Sequence, residues 1–188
     1  MRIACDIDGV LNDLTPKTLD MYNSYTGKNI QMSDITTYDF YECLPKEDAD
    51  GIIELFKEQA LWNSLEPLAD SQWGVQTLVD SGHKVIIATA THESNFAFKC
   101  NWMQKYFPMI NTDDIVRIYD KSLLNIDVMI DDCLSQLTKS VCERICLDYQ
   151  YNRNSIKDMA YDIHRCHSWL EIIKSIESIE RKMTEWKM

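Results

Sequence analysis

Asp6 and Asp8 stand two residues apart in RIACDIDGVLND (residues 2 to 13), directly after an apolar start. If Ile3 to Cys5 forms a buried strand, the two-residue period of strand side chains sends both carboxylates to the same side. Like charges disfavour each other's ionised form, so such a pair shares a proton or faces something positive. Asp131 and Asp132 end a second apolar run, DVMIDD, and Thr89 and Thr91 end a third, KVIIATAT. The four aspartates, with no obvious His or Cys partner, make a set of hard oxygen ligands that suits Mg²⁺ far better than zinc. Lys121, just past IVRIYD, is a second source of positive charge. At ~4 Å an opposite pair gains about 4 kcal/mol at an effective dielectric of 20, enough to hold a carboxylate ionised. Mg²⁺ seldom sits in an all-protein cage and usually shares its shell with water and a phosphate. Carboxylates, a lysine and a hydroxyl donor therefore point to phosphoryl chemistry, in which positioning and charge neutralisation do most of the catalysis.

Each of these residues has a plainer reading when taken alone. Asp-x-Asp-Gly is a common turn, Asp131 could cap a helix, Thr89 is at home in a strand, and Lys121 could be solvated. Their order, each after an apolar run, favours one common site.

The elements that must position them follow from the same runs. KVIIATA, IVRIYD, DVMIDD and ERICLDY read as buried strands after the first, separated by helical stretches such as SQWGVQTLVDSG and ESNFAFKCNWMQKYF. Gly82 is placed to end the former and Pro108 the latter. Strands alternating with helices predict an α/β fold with a parallel sheet covered on both faces. Five strands are expected, in the Rossmann-like order 3-2-1-4-5 that sets Asp6 beside Asp131 and Asp132. That order brings the acidic strand ends together beyond the carboxyl edge, where such sheets bind ligands. Ser168 and Glu171 predict a capping box at the start of the last helix, which runs on through Ile172, Ile173, Ile176, Ile179 and Met183.

Residues 14–70 carry helical patterns but no convincing strand, and are too long for a structureless loop. They are expected to form a small helical cap inserted after the first strand, with residues 1–13 and 71–188 as the catalytic core. The cap aromatics Tyr38, Phe40, Tyr41 and Trp62 could line a ligand pocket or form the cap's own core.

Composition narrows the partners. Nineteen basic and 30 acidic residues leave a formal charge of −11, a field that repels polynucleotides and anionic membranes. No apolar run approaches the ~20 residues of a membrane span, and the start lacks the apolar core of a signal peptide. Seven cysteines without a Cys-x-x-Cys pair fit free thiols in a reducing cytoplasm. Zinc at Cys142, Cys146, His164, Cys166 and His167 is disfavoured by their spacing.

DIDGVLND, IIATATH, the lysine of YDKS, and VMIDD stand in the order of the four motifs of the haloacid dehalogenase (HAD) superfamily, which the chain resembles. LEPL, WMQKYF and HSWLEIIKSI make it similar to the 5'(3')-deoxyribonucleotidase family over nearly its whole length. The resemblance implies a phosphomonoesterase acting on (deoxy)ribonucleoside monophosphates. It implies Asp6 as the nucleophile forming an aspartyl-phosphate, and Asp8 as the acid and then the base. Mg²⁺ would be held by Asp6, the backbone carbonyl of Asp8 and Asp132, with Asp131 at the metal directly or through water. Thr89 would hold the phosphate, with Ala90 beside it, and Lys121 would neutralise phosphate and nucleophile. The base would sit under Phe40 and Trp62. Ala90, where relatives often carry a second hydroxyl, and Cys133, where arginine is frequent, bear on substrate preference. A broad sugar-phosphate phosphatase of the same fold is the alternative enzyme. A phosphoacceptor or nucleotide-sensing domain is the alternative of another class, although phosphoacceptor domains run their motifs in a different order. Whether the chain forms a homodimer is left open.

Overall fold

The computed structural model describes residues 1–185. Six strands, β1 (Arg2–Cys5), β2 (Lys84–Thr89), β3 (Ile115–Arg117), β4 (Val128–Asp131), β5 (Glu143–Leu147) and β6 (Ile163–Cys166), form one parallel sheet in the order β3-β2-β1-β4-β5-β6. The order of the first five is the one expected from the sequence. The sixth was not expected, and the five-strand count is corrected to six. β6 is an edge strand of four residues, IHRC, in which Ile163 and Cys166 are buried while His164 and Arg165 are only partly so. It therefore lacks the continuous apolar run of a strand covered on both faces.

β1 lies in the interior of the sheet, between β2 and β4, and after the exposed Arg2 its side chains are apolar and buried. Ile3, Ala4 and Cys5 are at most 1% exposed, and Cys5 pairs with Ile87 on one side and Ile130 on the other. Strand alternation sends Ile3 and Cys5 into the larger apolar cluster and Ala4 into the smaller one on the opposite face. The chain runs from β1 outward to β2 and β3, then crosses to β4 on the other side of β1. The strand order thus reverses at β1, the place where open α/β sheets bind ligands.

Between β1 and β2 lie α1 (Leu14–Thr26), α2 (Phe40–Cys43), α3 (Lys46–Leu55), α4 (Gln59–Ser64) and α5 (Ser71–Asp80). The ends of the 14–70 segment meet. Leu68 N–H donates to the Leu11 carbonyl at 2.8 Å, and Asn12 bridges to Pro67. α1 packs against α3 and α4, and Leu19, Ile52, Leu61 and Trp62 bury their side chains in the same cluster as Ile3 and Val75.

The remaining helices are α6 (Glu93–Tyr106), α7 (Leu134–Lys139), α8 (Ser155–Ala160) and α9 (Trp169–Glu185). α9 starts with Ser168 Oγ accepting from Glu171 N–H at 3.3 Å. Glu171 Oε2 in turn accepts from His167 N–H at 2.7 Å, one residue earlier than the expected box. Ile172, Ile173, Ile176 and Ile179 make its buried stripe, and the Trp169 indole donates to the Val10 carbonyl at 2.9 Å. That bond fixes the turn after β1 that carries Asp8 and Gly9. Among the described residues no helix is long and apolar enough to cross a membrane.

Candidate active site

Asp6 N–H donates to the Ile130 carbonyl at 3.0 Å, which extends the β1–β4 pairing by one residue and sets Asp6 beside Asp131. Asp6, Asp131 and Asp132 are 6%, 1% and 4% exposed, and each offers a carboxylate oxygen within 4.8 Å of the others. Three buried carboxylates so close need a cation. One is Lys121, whose Nζ lies 2.7 Å from both Asp131 Oδ2 and Asp6 Oδ1. Burial alone would lower the pKa of this lysine. The charges of Asp131 and Asp6 outweigh burial and raise it, so the ammonium persists.

The two adjacent aspartates differ in what is left over. Asp131 has both oxygens engaged, Oδ2 by Lys121 and Oδ1 by Cys133 N–H at 2.9 Å. Asp132 Oδ2 accepts from the Tyr151 hydroxyl at 2.6 Å, but its Oδ1 is buried with no hydrogen-bond donor among the described residues. Asp6 Oδ1, although close to Lys121, receives no aligned hydrogen bond either. Burial, then the charges of Asp131 and Asp6, push the Asp132 carboxyl well above the usual carboxylate range. A buried acceptor left unmet is costly, and Asp132 Oδ1 marks where a cation fits, Asp6 Oδ1 being already 2.7 Å from the Lys121 ammonium. Asp6 and Asp132 could hold a divalent metal directly, with Asp131 fixing Lys121. The cluster contains oxygen donors only, as a hard cation prefers.

Asp8 lies outside that cluster and has its own cation. Lys99, 2% exposed, is ion-paired with Asp8 Oδ2 and donates to Thr89 Oγ1 at 2.7 Å. Asn12 Nδ2, held in the same turn, donates to Asp8 Oδ1 at 3.3 Å. Asp6, Asp8, Asp131 and Asp132 against Lys99 and Lys121 leave two formal negative charges over, the charge a divalent cation would neutralise. Sequence reasoning missed Lys99, though a signal was present. Asn95, Lys99, Trp102 and Met103 are the buried residues of α6 and fall at i, i+4, i+7 and i+8 on one face. A lysine in a buried stripe requires an anion.

A cavity of about 560 Å³ opens over this edge, the size of a small-molecule pocket. Asp8, Ala90, Thr91 and Asp132 line it from the sheet side, and Tyr38, Phe40, Phe56 and Trp62 from the 14–70 segment. Thr89, Asp6, Asp131 and Lys121 are buried and not part of its wall. Trp62 is both wall and core. It is 4% exposed, its indole N–H donates to the Phe56 carbonyl at 2.7 Å, and its ring stacks on Phe98 with centroids 6.3 Å apart. Phe40 is only partly buried and tilts against Phe56. Among the described residues, Cys142, Cys146, His164, Cys166 and His167 form no group that could hold a metal, and burial pushes the Cys146 thiol up to about 12.

The family model described as "5' nucleotidase, deoxy (Pyrimidine), cytosolic type C protein" matches residues 1–183. A 5'(3')-deoxyribonucleotidase of Bacillus subtilis is 26% identical over 182 residues, 96% of this chain and 97% of that protein. One from Clostridium acetobutylicum is 25% identical over 180 residues, 95% and 96% of the two chains. Among solved structures, a HAD family hydrolase from Deinococcus radiodurans with bound phosphate and sodium aligns with a TM-score of 0.66 at 11% identity, covering 95% of this chain and 96% of that one. A hydrolase from Pseudomonas syringae aligns at 0.60 and 13% identity, covering 95% and 99%. At such identities the structures share the fold.

Proposed function

The chain belongs to the family of 5' nucleotidase, deoxy (pyrimidine), cytosolic type C proteins and is a phosphomonoester hydrolase, and from this we propose that its substrates are (deoxy)ribonucleoside monophosphates. The reading includes Mg²⁺ as the metal and an aspartyl-phosphate on Asp6. The observation that carries it is the division of cations between two aspartates two residues apart: Asp6 with Lys121 beside an unmet carboxylate oxygen, Asp8 with Lys99.

In this mechanism Asp6 attacks phosphorus, and the ester oxygen departs as Asp8 gives it a proton. Asp8 then takes a proton from the water that attacks the acyl-phosphate, and Asp6 is released as carboxylate. Lys99 holds the Asp8 carboxyl in place, and an entering phosphate gives Lys99 a second anion; the proton Asp8 delivers is one it takes up from solvent before the ester bond breaks. Lys121 offsets charge on Asp6 and on the transferred group, and Thr89 orients Lys99. Mg²⁺ held by Asp6 and Asp132, with the Asp8 carbonyl, would neutralise charge on the phosphoryl oxygens. The 14–70 segment acts as a cap, its aromatics facing the base and excluding water from the intermediate.

Phe40, Phe56 and Trp62 on the cavity wall favour a nucleotide over a sugar phosphate, which offers no flat face to stack. Seven free cysteines support a cytoplasmic enzyme, and the net charge of −11 supports a mononucleotide over a polynucleotide. Phosphate release from a panel of deoxy- and ribonucleoside monophosphates beside sugar phosphates tests the substrate. Nucleotides should lead by at least roughly tenfold in kcat/KM, the worth of one stacked base. Activity should vanish with a chelator and return with Mg²⁺. Equal rates on sugar phosphates would support the broad phosphatase instead.

A further inference from the structure

We infer that Tyr151 is a positioning residue of the metal site, holding Asp132 by one carboxylate oxygen so that the other is kept for the cation. The inference rests on reading Asp6 and Asp132 as metal ligands. The Tyr151 hydroxyl donates to Asp132 Oδ2 at 2.6 Å, and the oxygen it leaves, Oδ1, is the buried one without a donor. A carboxylate pinned at one oxygen cannot swing to satisfy the other within the protein. Partners of this kind set the orientation of a metal ligand, and losing one typically costs 10- to 100-fold in metal affinity or activity.

Two further features converge on the same bond. Asn152, the next residue, is 2% exposed, and its Nδ2 donates to the Asp132 carbonyl at 2.9 Å and to the Leu147 carbonyl at 2.8 Å. The turn after β5 therefore grips Asp132 by backbone and side chain together. The Tyr151 ring is itself held, stacked on Tyr149 with centroids 5.1 Å apart and planes 5° from parallel. On the other side, Gly9 leaves the room this pair occupies. A Cβ there would stand 2.5 Å from Asp132 Oδ2 and 3.2 Å from Tyr151 Oη, and its φ of +70° already disfavours a side chain.

Tyr151→Phe tests the bond because it keeps the ring and its stacking and removes only the hydroxyl. Calorimetric titration of the metal-free full chain with Mg²⁺ should show a dissociation constant raised about 10- to 100-fold. The metal-free melting temperature should fall by only a few degrees, the effect of one buried carboxylate oxygen left without its donor, and kcat should be largely restored at saturating Mg²⁺. Tyr149→Phe, in the stacked ring without that bond, should leave the Mg²⁺ affinity unchanged. A Tyr151→Phe chain that binds Mg²⁺ as tightly as wild type overturns the inference, as does equal weakening by Tyr149→Phe. Failure of the wild-type chain to take up Mg²⁺ would instead overturn the metal reading on which the inference stands.

Discussion

Lys99 Nζ donates to Thr89 Oγ1 across 2.7 Å, joining the middle of α6 to the end of β2 within an ion pair to Asp8. The bond explains why a threonine ends β2 although its side chain is buried away from the cavity wall. Lys99→Met keeps the aliphatic stem in the buried stripe and removes the charge. It should lower kcat/KM by roughly 10²- to 10³-fold, the scale for loss of one preorganised donor at a developing charge. Steady-state kinetics beside a thermal melt checks this, and unchanged kcat/KM would make the pair purely structural.

Asp6 and Asp8 should fail differently when each is replaced by asparagine. Asp6→Asn should form no phosphoenzyme in acid-quench trapping and should bind Mg²⁺ poorly, because the amide is a weak nucleophile and a weak ligand. Asp8→Asn keeps the backbone carbonyl and should still bind Mg²⁺, with turnover reduced by ~10² to 10⁴ fold for want of an acid and base. Equal loss of metal binding in both would mean the roles are misassigned.

Phe40→Ala is the cleaner probe of base stacking, since Phe40 is only partly buried. It should weaken nucleotide turnover by roughly ten- to a hundredfold while sparing p-nitrophenyl phosphate, which has no base to stack. Trp62→Ala should instead cost both activities together. It deletes a core aromatic with a bonded indole, a loss of about 3–5 kcal/mol in folding stability. Parallel loss of both activities in Phe40→Ala would take Phe40 off the base platform.

Asp148 ties the turn that carries Tyr151 and Asn152 to its surroundings. Its side chain is 3% exposed, and it meets Arg153 at 2.7 Å, Arg165 at 3.0 Å and His167 at 3.3 Å. The Arg153 bond first, with Arg165 adding to it against burial, holds its carboxyl below the usual carboxylate range. The folded state therefore binds this proton less tightly than the unfolded chain, and the stabilisation is present above the ordinary aspartate pKa and lost as pH falls through the lowered one. Asp148→Asn should cost about 1.5–3 kcal/mol at pH 7. For a chain of this size that is a fall of roughly 3–12 °C in Tm. The gap between variant and wild type should narrow as pH falls below the ordinary aspartate pKa in thermal melts run across pH.

What the sequence determined by itself is the part of the site written at strand ends. A buried parallel strand must be continuously apolar, so an aspartate or threonine after one marks the sheet's carboxyl edge, and Asp6, Thr89, Asp131 and Asp132 are legible from local pattern alone. Lys121 was legible from its place after IVRIYD, and the parallel sheet from the alternation with helices. Tertiary structure alone decided the rest, because it depends on partners distant in the chain. β6 pairs with β5 at the sheet edge, where no continuous apolar run is needed and Arg165 finds Asp148 and Asp158. Lys99 joins the site because α6 turns its buried face toward Asp8, 91 positions earlier. Asp131 and Asp132, neighbours of the same type, part in their partners, one meeting Lys121 and the other Tyr151. Periodicity carries no information on that choice: it is made by which donor the folded chain brings to which oxygen.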